Sequence, residues 1–232
     1  MAMALCHFVI TLSILGDMTR SSDTRAIPKT AALILAGGAG RRMGGNKPFR
    51  EVGGMTLLAR VIEAARAQCD HVMISSNEDT AIFAEYDVPV IGDQPKAGQG
   101  PLGGVLGGLD VLPSDIDWLV SFPVDCPIVP DDMVAQLLSG ARNADVKAAF
   151  ASYADRDHYL SSIWHRGSAP VIARQLADDD RRVGAALRMM DAVKVTFPVS
   201  DGAIEPFTNV NSPEDLNELH KMLSGFVGGK GG

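Results

Sequence analysis

From Thr30 onward, the apolar residues follow two patterns in turn: short continuous runs, and residues spaced by three and four positions. Ala31–Ala36 is a continuous apolar run, typical of a strand that is buried on both faces. Met55–Asp70 places apolar residues at i, i+3 and i+4 and predicts an amphipathic helix. The same patterns predict further strands at 72–75, 88–91, 118–122, 146–152, 159–164 and 193–197, and helices at 80–86, 102–112, 131–139, within 168–190 and from 212.

This alternation predicts one α/β domain over residues 30–224, with a Rossmann-like, doubly wound and mostly parallel sheet between two layers of helices. We expect residues 1–29 to be an N-terminal extension in which Met18 is the true initiator. The apolar run 2–16 has no basic residue before it and is shorter than the ~20 residues of a membrane span. The glycine-rich end, 225–232, predicts a flexible tail.

Composition narrows the function classes. The 232 residues carry a net charge of −7, which argues against a nucleic-acid binder with a broad basic surface. Three widely spaced cysteines form neither a disulfide framework nor a metal-binding pair, so we expect a reducing, cytoplasmic location. The 24 glycines are the least ordinary feature, because many of them cluster.

The main glycine cluster directly follows the first predicted strand. Residues 37–47 hold five glycines, two arginines and a lysine, and such a segment can turn successive backbone N–H groups toward one anion. It is not a Walker A loop, because Lys47 is followed by Pro48, and it lacks the third glycine of the dinucleotide fingerprint, where Met43 stands. A phosphate-binding loop is therefore favoured over an ordinary surface loop, which stays open on composition alone.

Four motifs in order carry a family resemblance. The segment L-A-G-G-A-G-R-R-M-G-G-N-K over 35–47 resembles the signature loop of nucleotidyltransferases, most closely that of the molybdenum cofactor guanylyltransferases, or MobA family. The segments G-P-L-G-G at 100–104, F-P-V-D-C-P at 122–127 and F-T-N-V-N-S-P-E-D-L at 207–216 resemble the family's later motifs. The resemblance extends from about Ala31 to His220.

The resemblance implies an enzyme that transfers GMP from GTP to the phosphate of Mo-molybdopterin and releases pyrophosphate. It implies Mg²⁺ as the cofactor, with Mn²⁺ as a substitute. GTP and Mo-molybdopterin would be the substrates, with transient contacts to molybdenum-insertion and molybdoenzyme-delivery proteins, and with neither nucleic acid nor membrane as partner.

Asp125 follows a buried strand at a proline-flanked turn, the edge of an open α/β sheet where ligands bind. A carboxylate there suits Mg²⁺, which takes one or two carboxylates together with phosphate oxygens and water. Turn capping is the alternative role for Asp125. Asp93, after the strand at 88–91, is either a supporting acid or a helix cap, and the resemblance places it weakly against the nucleotide.

The remaining nucleotide contacts are implied by the resemblance. Lys47 would hold phosphate oxygens as a point charge, and Arg42 would make a planar, bidentate contact; solvated surface charges are the alternative for both. Ser75 stands where the family often has Asn, which leaves the choice between GTP and CTP open. Leu35, Ala36, Gly37, Gly38 and Gly104 complete the predicted nucleotide site.

The acceptor side is predicted from the second half of the chain. Asn209 and Asn211 flank Val210 and would face the same way from an extended segment, unless they only form the turn before the last helix. Arg182, in a basic pair, would hold the pterin phosphate or would lie on a helix surface. Tyr159 follows His158 where relatives commonly have proline.

Other chemistries find little support in the sequence. The five histidines lack metal-ligand spacing, and no residues suggest a nucleophile of the protein's own. Two alternatives remain: a sister enzyme that uses CTP or a sugar, polyol or lactyl phosphate, and a non-catalytic nucleotide-binding or cofactor-delivery protein.

Overall fold

A computed structural model describes residues 28–37, 47–199 and 204–227. Within them the strands are β1 (Thr30–Leu35), β2 (Glu51–Val52), β3 (Met55–Thr56), β4 (His71–Ser75), β5 (Val90–Ile91), β6 (Trp118–Pro123), β7 (Ala148–Tyr153), β8 (Arg156–His165) and β9 (Val193–Phe197). The helices are α1 (Leu57–Arg66), α2 (Gly100–Asp110), α3 (Met133–Asn143), α4 (Ala169–Ala177), α5 (Val183–Met189) and α6 (Pro213–Val227). Short 3-10 helices span Lys47–Phe49, Thr80–Tyr86 and Arg166–Ser168.

In the described part of the chain, seven strands form one sheet in the order β5-β4-β1-β6-β8-β7-β9. All neighbouring pairs are parallel except those of β8, which runs antiparallel to both β6 and β7. The predicted Rossmann-like, mostly parallel α/β fold is therefore confirmed. The short strands β2 and β3 pair separately as an antiparallel ribbon just after the glycine-rich segment.

Helices cover both faces of the sheet. Alternate residues of β1 contribute to two different cores: Ala32 and Ile34 pack with α1 and α3, whereas Ala31 and Leu33 pack with α2, α4 and α5. All six residues of β1 are buried, as its continuous apolar run predicts. The first of these cores also receives Leu219 of α6, which brings the end of the chain back to the sheet.

Helix α2 lies unusually close to the sheet because glycines face the neighbouring strands. A Cβ on Gly104 would lie 2.2 Å from Ser75 Oγ, and one on Gly107 would lie 2.4 Å from the Gly92 carbonyl oxygen. Eight consecutive residues of this helix, 102–109, are buried. Close packing thus explains why a segment with four glycines is helical, despite the intrinsic cost of glycine in helices.

Element boundaries differ from the predictions by a few residues. Helix α1 begins at Leu57, two residues later than predicted, because Thr56 is extended and its Oγ1 accepts a hydrogen bond from the Ala59 N–H (3.0 Å) as an N-cap. Helix α3 spans Met133–Asn143 rather than 131–139. The strand predicted at 88–91 is shortened to its last two residues.

The chain ends are described only in part. Helix α6 includes 225–227, the first three residues of the predicted tail, whereas 228–232 lie outside the described residues. Residues 1–27, including the predicted start at Met18, also lie outside them. None of the helices in the described ranges combines the length and apolar character needed to cross a lipid bilayer.

Candidate active site

Three parallel strands end together at one edge of the sheet. The Ala36 N–H donates to the Ser75 carbonyl (3.0 Å), and the Val124 N–H donates to the Leu35 carbonyl (3.2 Å). These hydrogen bonds continue the sheet beyond the ends of β4, β1 and β6. Backbone bonding therefore holds the residues that follow the three strands side by side, at the edge where open α/β sheets bind ligands.

A cluster of three polar side chains lies at this edge. Lys47 Nζ contacts Asp125 Oδ2 at 3.0 Å and donates to Asn211 Oδ1 at 2.8 Å. The Lys47 and Asp125 side chains are 15% and 28% exposed, so the ion pair is partly shielded from water. The fold thus brings together residues separated by 78 and 164 positions in the chain. We call these three residues the central cluster.

The N-terminus of α6 fixes the position of Asn211. Asp215 Oδ2 accepts hydrogen bonds from the Asn211 N–H (2.8 Å) and the Ser212 N–H (2.9 Å), and Ser212 Oγ accepts one from the Asp215 N–H (3.1 Å). The Asn211 N–H is the largest cause that lowers the pKa of Asp215 below its ordinary value. Asp215 was not among the predicted site residues, although Ser-x-x-acid before a helix signals such reciprocal capping.

A second set of contacts joins the segment before α6 to the turn after β6. The Val210 N–H donates to the Asp125 carbonyl (2.7 Å), and Cys126 Sγ donates to Asn209 Oδ1 (2.7 Å). Burial, reinforced by the nearby Asp125 carboxylate, raises the pKa of the Cys126 thiol. The thiol is therefore protonated at neutral pH and acts as a hydrogen-bond donor rather than as a nucleophile.

Three neighbouring cavities follow the sheet edge. The first, the β4 cavity, has a volume of about 320 Å³. It is lined by Leu35, Gly37, Ser75, Asn77, Glu78, Asp93, Gly98, Gly100 and Pro101. Asp93 is buried and its Oδ2 accepts a hydrogen bond from the Gln99 N–H (2.9 Å), so it caps the loop before α2 as well as lining this cavity.

The second, the central cavity, measures about 280 Å³ and contains Lys47 and Asp125. It shares Leu35, Gly37 and Pro101 with the β4 cavity, so the two cavities adjoin each other. Lys47 is the cation among its lining residues, whereas the β4 cavity is lined by the carboxylates Glu78 and Asp93. Among the described residues, the central cavity is therefore the more favourable place for a phosphate chain.

The third, the β8 cavity, measures about 230 Å³ and shares Pro123 and Leu160 with the central cavity. Its walls include Cys126, Asn209 and His158. The His158 ring stacks on Phe207 with centroids 4.9 Å apart, and burial lowers the pKa of the imidazole.

Asp157, which also lines the β8 cavity, accepts from the Tyr159 hydroxyl at 2.9 Å and pairs with Lys194 at 2.7 Å. No lysine or arginine of the described chain lines this space. Since the Asp157 carboxylate is already paired, the cavity suits the polar but uncharged part of a ligand.

The predicted site residues are distributed unequally. Those brought to the edge are Leu35, Ala36, Gly37, Lys47, Ser75, Asp93, Asp125, Asn209 and Asn211. Gly104 lies one layer deeper, against Ser75, and its contact with nucleotide stays a prediction. Gly38 and Arg42 lie outside the described residues.

Arg182 is not brought into the three cavities. Its side chain is 77% exposed and makes a bidentate ion pair with Asp180, with both N–O distances at 2.8 Å. The neighbouring Arg181 donates to the carbonyl of Gly98 (3.0 Å), a lining residue of the β4 cavity. In the strand order, β1 and β6 lie between β4 and β8, so this contact is distant from the β8 cavity. The predicted contact of Arg182 with the acceptor phosphate therefore stays a prediction.

The donor set fits a hard divalent cation that shares its ligands with a substrate. The described residues contain no group of three or more His, Cys, Asp or Glu side chains that could enclose an ion. Asp125 nevertheless supplies one carboxylate inside the central cavity. Mg²⁺ is typically bound in this manner, through one or two carboxylates, substrate phosphates and water.

Comparison with known proteins gives consistent matches. Residues 32–193 match the family model described as "MobA-like NTP transferase domain". A molybdenum cofactor guanylyltransferase of Rhodopseudomonas palustris is 39% identical over 84% of this chain and 94% of its own length.

Two solved structures share the fold. Molybdopterin-guanine dinucleotide biosynthesis protein A from Archaeoglobus fulgidus superposes with a TM-score of 0.70 at 21% identity, over 84% of this chain and 99% of that one. A Mycobacterium tuberculosis protein in complex with manganese superposes with a TM-score of 0.60 at 16% identity, over 83% of this chain and 98% of that one.

Proposed function

Because this chain belongs to the MobA-like NTP transferase family, we propose that it is a molybdenum cofactor guanylyltransferase. It transfers GMP from GTP to the phosphate of Mo-molybdopterin, which yields molybdopterin guanine dinucleotide and pyrophosphate. The observation that carries the proposal is the central cluster, in which Lys47 and Asp125 meet between two further cavities. A transferase that joins two ligands needs this order of donor site, reaction centre and acceptor site.

Charge decides how GTP lies in the site. The triphosphate occupies the central cavity, where Lys47 contacts its oxygens, and the base lies in the β4 cavity beside Ser75 and Asp93. The opposite orientation would place phosphates against Glu78 and Asp93 and is disfavoured by charge repulsion. Gly38 and Arg42, in the preceding loop, are predicted further phosphate contacts.

The acceptor lies on the other side of Asp125. Its phosphate enters through the junction formed by Pro123 and Leu160, and its heterocycle occupies the β8 cavity near Asn209 and His158. A pterin is polar and uncharged, which suits a cavity whose described lining has no unpaired charge. Asn211 would hold Lys47 through its Oδ1, which accepts from Lys47 Nζ, and would contact the acceptor through its amide Nδ2.

In this arrangement the protein positions two anions and needs no nucleophile of its own. An oxygen of the acceptor phosphate bonds to the α-phosphorus of GTP, while the bond from that phosphorus to the α–β bridging oxygen breaks. The bridging oxygen keeps the electron pair and leaves with pyrophosphate. Lys47 stabilises the charge that develops on this leaving group, and the cleft holds the reacting groups in line.

Asp125 would hold the divalent cation, for which we propose Mg²⁺ with Mn²⁺ as a substitute. When bound, such an ion draws electron density from the α-phosphate and reduces repulsion between the two phosphates. Asp125 Oδ2 contacts Lys47 in this structure, so the residue that would hold the cation and the residue that would hold the phosphates lie side by side. Transient contacts with molybdenum-insertion and molybdoenzyme-delivery proteins, and a cytoplasmic location, belong to the same proposal.

The decisive experiment measures pyrophosphate release and dinucleotide formation by the purified protein. We expect both products when GTP, Mo-molybdopterin and Mg²⁺ are all present. When any one of them is omitted, we expect neither product. Turnover with CTP or with a sugar phosphate acceptor instead would identify a sister enzyme. Tight GTP binding without pyrophosphate release would identify a non-catalytic binding protein.

A further inference from the structure

The β4 cavity carries a pattern of hydrogen-bond donors and acceptors that the motifs do not explain. Its polar side chains lie at or just after the ends of β4 and β5, and they are Ser75, Asn77, Glu78 and Asp93. Ser75 is a short hydroxyl that packs against Gly104. Selection of a base therefore depends on the other three side chains, two of which are partly engaged within the protein.

Asn77 is oriented by a backbone hydrogen bond. Its Oδ1 accepts from the Asp93 N–H at 3.0 Å, which identifies the oxygen and leaves Nδ2 with its two donors. In the described part of the chain no acceptor contacts that Nδ2. Asp93 is also oriented, since its Oδ2 accepts from the Gln99 N–H. Asn77 therefore offers a donor to a ligand in the β4 cavity.

Glu78 stands next in the chain and offers an acceptor. Its backbone N–H donates to Ser76 Oγ (3.2 Å), which holds the turn, while its exposed side chain lines the cavity. No donor among the described residues contacts its carboxylate. An ionised carboxylate accepts hydrogen bonds only. Asn77, with an available donor, and Glu78, with a carboxylate that can accept two hydrogen bonds, are neighbours in the chain and both line the cavity.

The donor of Asn77 and the acceptors of Glu78 are together complementary to one base edge. The Watson–Crick edge of guanine presents an acceptor, O6, followed by two donors, N1–H and the 2-amino group. Cytosine and adenine present a donor first and an acceptor after it, so each would face Asn77 and Glu78 with at least one like pair.

We propose that Glu78 selects guanine by accepting hydrogen bonds from N1–H and the 2-amino group, while Asn77 Nδ2 donates to O6. This inference rests on the proposed function for the orientation of the nucleotide. It also supplies a base-recognising residue in a chain whose Ser75 is too short to pair with a base edge on its own.

The test measures equilibrium binding of GTP, ITP and CTP with Mg²⁺ and without acceptor. ITP is the matched probe because it lacks only the 2-amino group of GTP. The wild type is expected to bind GTP more tightly than ITP by roughly 10- to 100-fold, the range for a hydrogen bond to a charged group. In Glu78→Gln and Glu78→Ala this ratio should fall close to one.

Glu85→Gln, an exposed carboxylate outside the three cavities, is the control and should keep the wild-type ratio. Thermal unfolding of each variant shows whether it is folded. If the wild type prefers GTP and both Glu78 variants keep the full GTP-to-ITP ratio, Glu78 does not read the base, and the proposed function stands. If the wild type prefers CTP, the Glu78 assignment and the proposed function fail together.

Discussion

The two halves of the sheet build their parts of the cleft by different means. On the β5-β4-β1-β6 side, parallel strands end in step, and the β4 cavity combines three glycines with polar side chains at or just after the strand ends, such as Ser75. On the β8-β7-β9 side, β8 runs against its neighbours and the cavity is lined by larger side chains, among them His158 and Tyr159.

The difference separates what the proposed nucleotide site requires from what the proposed acceptor site requires. We propose that the nucleoside triphosphate lies where glycines let α2 approach the strands, and that its base is read by side chains that directly follow β4 in the chain. The proposed acceptor site depends on side chains whose partners are distant in the chain, such as Asn209 with Cys126. Between the halves, the central cluster joins Lys47, Asp125 and Asn211.

Substitution at the centre should disable both halves at once. Asp125→Asn removes the carboxylate charge that would hold the cation while keeping the side-chain size. Turnover should fall by roughly 10³-fold, which corresponds to about 4 kcal/mol of transition-state stabilisation. Pyrophosphate release measures the loss, and Asp131→Asn, on an exposed position after the same strand, is the control. Nearly unchanged turnover in Asp125→Asn would refute the metal role.

On the parallel side, the sensitive position is a packing glycine. Gly104→Ala places a Cβ 2.2 Å from Ser75 Oγ, so the Ser75 hydroxyl has to rotate away or the helix and the strand have to move apart. Overpacking of this kind costs about 1–3 kcal/mol of unfolding free energy. Urea denaturation should show this loss, with weaker GTP binding because Ser75 lines the β4 cavity. The same change in a Ser75→Ala background should cost less; an equal cost in both backgrounds would mean that the Ser75 hydroxyl is not the obstacle.

On the β8 side, a smaller and more selective effect is expected. Asn209→Ala removes an amide from the wall of the β8 cavity. The KM for the acceptor should rise by roughly tenfold, the equivalent of about one hydrogen bond, while the KM for GTP stays within about twofold. Asn217→Ala, exposed on α6, is the matched control. An equal rise in both KM values would contradict the separation of the two halves.

The smallest effect concerns the support of the central cluster. Asp215→Ala removes the acceptor for the Asn211 and Ser212 N–H groups and should cost about 1 kcal/mol near pH 7, as for other lost helix caps. Because folding lowers the pKa of Asp215 below 3.8, its stabilising contribution is present above that value.

That contribution is lost as the pH falls through the lower, folded pKa. The stability difference between wild type and Asp215→Ala should therefore shrink when urea denaturation is repeated at progressively lower pH below 3.8. A difference that is independent of pH would show that the Asp215 carboxylate charge is not what stabilises the cap.

Prediction from the sequence was most reliable where the signal is local. The strand at 193–197 and the buried run of β1 were placed correctly because they depend on neighbouring residues. Asp125 was predicted at a strand end and lies in the central cavity. Helix ends were displaced by one to four residues, since caps and strand pairing compete there, as Thr56 illustrates.

Sequence patterns alone did not predict the contacts between distant parts of the chain. The motifs indicated Lys47 and Asn211 separately, yet their contact across 164 residues depends on where α6 packs. Glu78 belongs to no motif and is notable only because it shares a cavity with Asn77. Arg182 pairs with Asp180 at the surface, a contact that its motif did not indicate, and its contact with the acceptor phosphate stays a prediction.

The amino-acid sequence was sufficient for the fold class, for the edge of the sheet that carries the site, and for the residue types at its centre. Hydrophobic periodicity and glycine placement encode these properties locally, and strand ends in a parallel sheet share one edge by necessity. The folded structure was required for the three cavities, their charges and the partners of each side chain. These depend on how helices pack against the sheet, which arises from many weak contacts between residues far apart in the chain.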